Sequence, residues 1–571
     1  MHGSVLTRHL RETFRLRKGG PLVWPAIRAF LSMLVPLTTL LQIGRLDLVA
    51  GAVFGALTSV HARSEPYRQQ ARTLAVVAVS MVLAVAIGDV IAVFAEGSVW
   101  HEPLALLATA VVGAVTTAAG TAVHLGAPGG LIFAFATGAC AHLSLATTDL
   151  GPHISVTAVS AAFAWAVSTA GAVVSGLGPQ RRAVAAALEA TAAHLAARPD
   201  LTTRHRAAAA VETAWNSVAL VGRRHRDTAE HLDLVRAIET CEALLIPDHG
   251  AEVAIDDIRA TATELRRGGR FHGLVPEGDS RPLVPPTPVS RWKVIREVLR
   301  AALRPGRHAG TWLRPFALRV GTAAFVAGAA ANLLGIGHAY WAAVSAVSVL
   351  QATSTSRSVP RMLQRISGTV FGVLGGLGLL SAHPAPWMII ILLAVLQWGA
   401  EMTVLVNYAF GLFFATPVAL LVSALASPAG PGELVLHRLW ATLLGAAIAV
   451  GVAWLLPNRA WLSRVQRALA RVRELSAADP IQPDRLRSAL VELHEAYDVA
   501  DGEVRRAKLP TEELLDISHR AYVLLDSPEG LNSPDGRARC LPVATGADDR
   551  RGSGAAAQSS RSGSSCQEAT K

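Results

Sequence analysis

The chain has 571 residues, of which 51% are hydrophobic and only 17% are charged, and its formal net charge is +11. Soluble globular proteins carry roughly 25% charged residues, so this composition excludes that class. The apolar residues come in runs of about 15 to 25 separated by short polar gaps, which is the spacing of helices that cross a bilayer. The sequence therefore predicts an all-α, polytopic membrane protein.

The positions of the charged residues and the absence of known motifs limit which partners and cofactors we expect. The arginines crowd the ends of the apolar runs and the polar segments between them, which positive-inside topology and attraction to anionic lipid headgroups explain. We therefore expect the lipid bilayer as a partner and no nucleic acid. The cysteines form no CxxC pair, and no phosphate-binding loop or catalytic motif is present. We expect no metal, no cofactor and no enzymatic activity.

Each half of the chain contains six candidate membrane spans. In the first half they lie near 22–43, 48–61, 73–95, 103–125, 129–147 and 153–178. In the second half they lie near 314–335, 339–352, 366–381, 386–400, 402–426 and 436–456. The runs 48–61 and 339–352 are short, and the sequence leaves open whether they cross the membrane fully or are re-entrant.

Basic residues in the loops predict the orientation. The loop after the second span contains Arg63, Arg68 and Arg72. Four other loops contain no Lys or Arg, namely those near 96–102, 148–152, 381–386 and 427–433. Short cytoplasmic loops retain basic residues, so we expect a multi-pass protein of the cell (inner) membrane with both termini in the cytoplasm. Arg45 and Arg438 do not fit this pattern.

The two halves repeat each other in order. The matched pairs are Arg28 and Arg319, Arg68 and Arg361, Arg72 and Arg365, Phe135 and Phe414, and Pro179 and Pro457. Six spans return the chain to its starting side, so the copies share one orientation. We expect two parallel repeats of about six transmembrane helices each, related by an axis along the membrane normal, with substrate passing near their interface.

The domain organisation follows from these runs and from the charged segments between them. Apolar residues at three- and four-residue spacing predict cytosolic helical regions after each repeat, and the Ser-, Gly- and Arg-rich end cannot bury a core. The predicted segments are a cytoplasmic start at 1–21, the first repeat at 22–178, a helical bundle with a Pro-rich linker at 179–290, the second repeat at 291–457, a second helical region at 458–532 and a disordered tail at 533–571.

A set of residues in the second half carries a family resemblance. They are His338-Ala339-Tyr340-Trp341, Gln351, Thr355, Arg357, Arg361, Arg365, Gly368-Thr369, Gly372, Glu401, Asn407-Tyr408 and Phe414-Ala415-Thr416-Pro417. This pattern resembles the fusaric acid resistance-like family of aromatic acid exporters, whose relatives include the plant aluminium-activated malate transporters. The resemblance implies an inner-membrane permease that exports organic anions, typically aromatic carboxylates.

Two sets of arginines are candidates for anion binding. Arg28 and Arg319 lie within the first span of each half, where a guanidinium that faces the bundle interior matches a carboxylate in two parallel hydrogen bonds. The alternative is that both side chains snorkel to the headgroups. A second set, Arg68, Arg72, Arg361 and Arg365, is predicted to form an anion funnel at the cytoplasmic mouth, or else to anchor the topology.

Other polar and aromatic residues complete the candidate site. Glu401 is placed near a helix start, on one face with Tyr408 and beside Asn407. It is predicted to couple export to protons, or else to stabilise a helix N-terminus. Tyr340 and Trp341 are candidates for stacking on an aromatic substrate, although anchoring at the membrane interface is the favoured interpretation of that pair. Asn407 and Tyr408 are further substrate-binding candidates.

We expect gradient-driven secondary export of organic anions, with aromatic carboxylic acids as the favoured substrate class. Two alternatives stay open, a passive anion channel and a membrane-anchored scaffold that acts through its cytosolic bundles. The sequence leaves open whether the chain forms a homo-oligomer.

Overall fold

The computed structural model describes residues 23–63, 65–123, 125–126, 128–197, 201–221, 228–245, 254–271, 273, 313–351, 355–426, 430–456, 460–478, 481–501 and 511–526. The predicted cytoplasmic start, the Pro-rich linker and the predicted disordered tail lie outside the described residues. Within the described part, helices are the regular secondary structure throughout.

The first apolar half folds into six helices. They are α1 (Val23–Gln42), α2 (Val49–Ala56), α3 (Tyr67–Ala95), α4 (His101–Ala122), α5 (Leu131–Cys140) and α6 (Leu150–Ser175). Short 3₁₀ turns, Leu46–Leu48 and Leu57–Val60, flank α2 on both sides.

The second apolar half also folds into six helices, and its second helix is again the shortest. They are α11 (Leu313–Leu333), α12 (Tyr340–Leu350), α13 (Thr355–Ser381), α14 (Pro386–Thr403), α15 (Tyr408–Ala426) and α16 (Pro431–Leu455). Between the halves lie α7 (Gly178–Ala196), α8 (Leu201–Ala219), α9 (Ala229–Leu244) and α10 (Ile255–Arg267), and after them α17 (Ala460–Ser476), α18 (Pro483–Asp501) and α19 (Thr511–Asp526).

Eight helices of the described chain are long and apolar enough to cross a membrane, four in each half. The second and fifth helices of each half are apolar but shorter, over Leu46–Val60, Leu131–Cys140, Tyr340–Leu350 and Tyr408–Ala424. Of the two short runs for which the sequence left full crossing open, both fold as short helices, and the runs 129–147 and 402–426 also form helices outside the group of eight. An α-helix rises about 1.5 Å per residue, so the helices α2, α5 and α12 are too short for a hydrocarbon core of about 30 Å.

The surface of the long helices suits lipid. Large apolar side chains such as Phe94, Val159 and Phe371 are more than 60% exposed, whereas every residue of α2 and of α12 is buried. Exposed apolar surface on this scale is unfavourable in water and favourable in a bilayer. The long helices thus form the outer wall of the bundle, and the short second helices fill its centre.

The two halves exchange helix contacts reciprocally. Helix α1 packs along α14, and helix α11 packs along α4, so the first helix of each half lies against the fourth helix of the other. Within each half the second helix packs on the sixth, and the third packs on the fifth. These two pairs, together with the contacts of α12 with α4 and α5, form the boundary between the halves.

Small residues allow the third and fifth helices of the second half to approach closely. A Cβ added at Gly372 of α13 would lie 2.7 Å from Thr416 Cβ and 2.9 Å from the Phe413 carbonyl oxygen on α15, whereas one at Gly375 meets nothing within 4 Å. Gly372 therefore allows α13 and α15 to pack closely, as small residues commonly do where two membrane helices contact each other.

We expect Gly372→Ala to destabilise the protein by about 1–3 kcal/mol, because the added methyl group must push α13 away from α15. The matched control is Gly375→Ala, which should be neutral or stabilising by up to about 1 kcal/mol because alanine is the better helix former. Thermal unfolding of the purified protein in detergent measures both. Equal effects of the two substitutions would contradict the packing role.

The charged helices form two cores of their own, outside the apolar bundle. One core is built on α7, α8, α9 and α10 and includes Leu188, Trp215 and Ile238. The other is built on α17, α18 and α19 and includes Val472 and Leu493. The amphipathic spacing in the sequence correctly placed these helices.

The two charged-helix cores contact each other. Arg487 of α18 donates to Glu242 of α9 at 2.5 Å, and the rings of His205 and His494 stack with their centroids 4.0 Å apart. Burial, together with the neighbouring His494 and Arg206, lowers the pKa of His205 to about 3. Burial also lowers the pKa of His494.

Acidification is expected to loosen this contact. A histidine whose pKa is lowered in the packed state favours the neutral form, so the separated state, with its ordinary pKa of 6.5, takes up protons first. The contact should therefore be most stable above pH 6.5. It should lose stability as the pH falls from 6.5 toward the lowered pKa of His205, about 3. Distances between spin labels on α8 and α18 at neutral pH and at about pH 5 test this. The double variant His205→Phe and His494→Phe should abolish the pH dependence.

Candidate anion-binding site

Two arginines of α13 converge on one tyrosine. Arg365, whose side chain is 1% exposed, donates from Nη1 to the Tyr408 hydroxyl at 3.2 Å and from Nη2 to Ser345 Oγ at 3.1 Å. One turn earlier, the Arg361 guanidinium lies over the Tyr408 ring at 4.0 Å from its centroid and donates to the Ser348 carbonyl oxygen at 3.1 Å. The serines belong to the central helix α12, so both guanidiniums point into the bundle.

A third arginine reaches the same region from α16. Arg438 is 5% exposed, and its guanidinium lies over the Trp341 ring at 4.8 Å. It is close enough to Arg365 for the two charges to repel each other. We refer to Arg361, Arg365 and Arg438 as the arginine cluster.

Two charges of this cluster, those of Arg365 and Arg438, are not balanced by a carboxylate of the described residues. Within the described chain no carboxylate pairs with Arg365 or Arg438, and Arg365 Nε, Arg438 Nε and Arg438 Nη1 have no hydrogen-bond partner. Burying an unpaired charge costs several kcal/mol, and a guanidinium presents a planar fork that a carboxylate satisfies with two hydrogen bonds. The arrangement is chemically suited to an anion.

The cluster belongs to the second half alone. Arg68 and Arg72, which match Arg361 and Arg365 in the sequence, are exposed on α3. At the offsets that relate the halves, Arg438 corresponds to Ser160 and Tyr408 to Gly129. The four arginines predicted as a funnel thus lie in two different environments, and only Arg361 and Arg365 lie near the predicted substrate residues.

A second charged group joins the two halves. Arg63, in the turn before α3, donates two hydrogen bonds to the carboxylate of Glu401 on α14, from Nε to Oε2 at 2.6 Å and from Nη2 to Oε1 at 2.7 Å. Both side chains are less than 10% exposed. Arg28 of α1 donates to the His61 carbonyl oxygen at 3.1 Å, and the charges of Glu401 and Arg63 act on it. Arg28 and Glu401 are therefore close enough for their charges to interact.

The local placement of Glu401 differs from the prediction. Glu401 lies in the last turn of α14, and Tyr408 begins the next helix after a break at 404–407. The two do not share a helix face, and stabilisation of a helix N-terminus by Glu401 is excluded. The apolar run continues across the break, which explains the error. Asn407 caps the N-terminus of α15, because its Oδ1 accepts a hydrogen bond from the Ala409 amide at 2.8 Å.

The remaining candidates are buried. Arg28 is 2% and Arg319 is 1% exposed, so neither snorkels to headgroups. Arg319 lies on α11 with its guanidinium 5.8 Å from the Phe316 ring centroid. Tyr340 and Trp341 are 2% and 0% exposed, and the interpretation of this pair as interfacial anchors is wrong for the same reason. Both begin the enclosed helix α12, which the hydropathy of the run could not reveal.

The two exceptions to the loop-charge pattern have structural explanations. Arg45 pairs with Asp47 at 2.8 Å and with Asp149 at 3.3 Å, so its charge is neutralised within the loops. Arg438 points into the bundle and is not a loop residue. In the sequence, Arg438 and Arg63 can be interpreted only as signals of membrane topology. Their role in the site is not visible there, because their partners lie far away along the chain.

Comparison with known proteins agrees with this description. Residues 325–452, which contain the whole arginine cluster, match the family described as fusaric acid resistance protein-like. The membrane protein YvaC of Bacillus subtilis (strain 168) is 24% identical over 564 residues, covering 91% of this chain and 87% of its own length. No solved structure matches the chain significantly. The chain is a multi-span membrane protein, and its residues 325–452 are similar to the fusaric acid resistance protein-like family.

Proposed function

We propose that the protein transports organic anions across the membrane and binds their carboxylate at the arginine cluster. The observation that carries this proposal is the burial of Arg365 and Arg438 without a carboxylate partner among the described residues. Arg365 lies ten residues into α13, about 15 Å along its axis, at a depth where only a bound anion or a large rearrangement supplies a counter-charge.

Aromatic carboxylates are the substrate class that we favour. Tyr408 and Trp341 each lie under a guanidinium of the cluster, and Tyr340 is next to Trp341 with ring centroids 5.7 Å apart. A substrate ring entering here would meet aromatic faces while its carboxylate meets the guanidiniums. The similarity to the fusaric acid resistance protein-like family supports the same class.

The two halves are proposed to be parallel repeats with both termini in the cytoplasm. The short second helix of each half and the reciprocal pairs α1 with α14 and α4 with α11 support this arrangement. Glu401 lies at the α1 and α14 contact, on the boundary between the repeats. If transport moves the repeats relative to each other, the ion pair with Arg63 opens, and Glu401 becomes free to take up a proton and so to couple export to a gradient.

Transport by the purified full-length chain in liposomes tests the proposal. The probe is labelled phthalate, an aromatic dicarboxylate that crosses pure lipid slowly, and the control is labelled benzyltrimethylammonium, a cation of similar size. We expect protein-dependent, saturable movement of phthalate and none of the cation. Equal movement of both probes, or of neither, would overturn the proposal.

The same liposomes separate a coupled exporter from a passive channel. A coupled exporter should move phthalate against its gradient when a proton gradient is applied. A channel should instead carry a rapid anion current that follows the electrochemical gradient of the anion alone, and observation of such a current would replace the coupled mechanism.

A further inference from the structure

Three potential metal ligands meet within the first half of the bundle. Asp89 lies on α3, Cys140 ends α5, and His153 lies in the first turn of α6. A ligand atom from each lies within 4.8 Å of the other two, and all three residues are 0% exposed. They are separated by 51 and 13 residues in the sequence, which is why no metal motif was visible there.

The polar atoms of this group are incompletely satisfied. Asp89 Oδ2 lies 2.8 Å from His153 Nδ1, but Asp89 Oδ1 and His153 Nε2 have no hydrogen-bond partner. Buried polar atoms are almost always paired, so an orphaned carboxylate oxygen and an orphaned ring nitrogen in one fully buried group need an explanation. A bound cation supplies one.

We propose that Asp89, Cys140 and His153 bind a divalent transition-metal ion of the zinc class. Carboxylate, thiolate and imidazole together are a zinc ligand set, whereas magnesium and calcium require oxygen ligands. Zinc bonds of about 2.0–2.3 Å place tetrahedral ligand atoms about 3.3–3.8 Å apart. The ligand atoms already lie within 4.8 Å of one another, so only small shifts are needed, and Asp89 Oδ2 and His153 Nδ1 move slightly apart.

Charge balance supports a divalent ion at this depth. The carboxylate and the thiolate each contribute one negative charge, and the imidazole is neutral, so the complex with a divalent cation carries no net charge. A neutral complex is tolerated in an apolar bundle where an isolated ion is not. Binding releases the thiol proton of Cys140 to solvent, while the imidazole of His153 keeps one ring proton and stays neutral.

The site is specific to the first half and would cross-link three of its helices. At the offsets that relate the halves, the three ligands correspond to Ala382, Ala419 and Pro431. The first half thus holds a potential metal site and the second half the arginine cluster. The metal would stabilise the packing of α3, α5 and α6, independently of what the second half transports.

Cobalt titration of the full-length protein in detergent, after stripping with a chelator, tests the site. We expect saturable binding of a single Co²⁺, with a sulfur-to-cobalt charge-transfer band in the near ultraviolet and tetrahedral visible bands that Zn²⁺ removes. Absence of saturable binding to the unmodified protein would overturn the proposal.

Two cysteine variants provide the matched comparison. Cys140→Ser should lose the charge-transfer band, and Zn²⁺ should no longer raise its unfolding temperature. Cys241→Ser removes a buried cysteine of the α7–α10 core and should retain both responses. A band that persists in folded Cys140→Ser, or that is lost in Cys241→Ser, would place the metal elsewhere. Should Cys140→Ser not fold, Asp89→Asn offers the same test, with weakened cobalt affinity expected and unchanged affinity contradicting the site.

Discussion

Replacement of Arg365 by glutamine is expected to lower the transport efficiency for phthalate roughly 10- to 100-fold. A hydrogen bond to a charged partner contributes about 1.5–3 kcal/mol, and each 1.4 kcal/mol is about a tenfold change in affinity or rate. Glutamine can still bond the Tyr408 hydroxyl and Ser345, but it carries no charge for the anion. Initial rates of uptake into liposomes, at several phthalate concentrations, measure the effect.

The controls for Arg365 separate charge from geometry and from folding. Arg365→Lys keeps the charge but loses the fork, so its loss should be intermediate. Arg471→Gln removes an exposed arginine of α17 and should leave transport unchanged. Unaltered transport by correctly folded Arg365→Gln would remove the arginine cluster from the mechanism.

Arg438→Gln should reproduce the Arg365→Gln defect, because both guanidiniums serve the same bound anion.

Glu401→Gln is expected to destabilise the protein by about 3–5 kcal/mol, because it leaves Arg63 buried without its counter-charge. Arg28 aggravates the loss, since its charge also acts at this point. Arg63→Gln should be destabilising for the complementary reason. Thermal unfolding in detergent, with the single variants and the double variant in a cycle, measures the coupling energy between the two side chains.

The double variant Arg63→Gln and Glu401→Gln should be more stable than the sum of the single losses predicts. Arg45→Gln is the exposed comparison, because Arg45 also pairs with carboxylates but is 41% exposed, and its loss of stability should be much smaller than that of Arg63→Gln. Additive single effects at Arg63 and Glu401 would show that their ion pair does not hold the turn before α3 to α14.

Hydropathy in the sequence predicted the class of protein, the order of its helices and the position of the two charged-helix cores. These properties depend on residues close in the chain, whose apolar spacing is visible without a structure. Family-typical residues also placed Tyr408, Arg361 and Arg365 among the candidates. Hydropathy separated α14 from α15 at residue 401, whereas the structure has the break at 404–407, because the apolar run 402–426 continues across that break.

The sequence by itself determined that this is an all-helical membrane protein with positive charge concentrated between its apolar runs. Only the tertiary structure decided which charges act together. Arg63 meets Glu401 across 338 residues, and Asp89 meets His153 across 64. Those meetings depend on which helices pack and how each is rotated about its axis. Neither property is encoded in local spacing, because one helix face can pack against many partners.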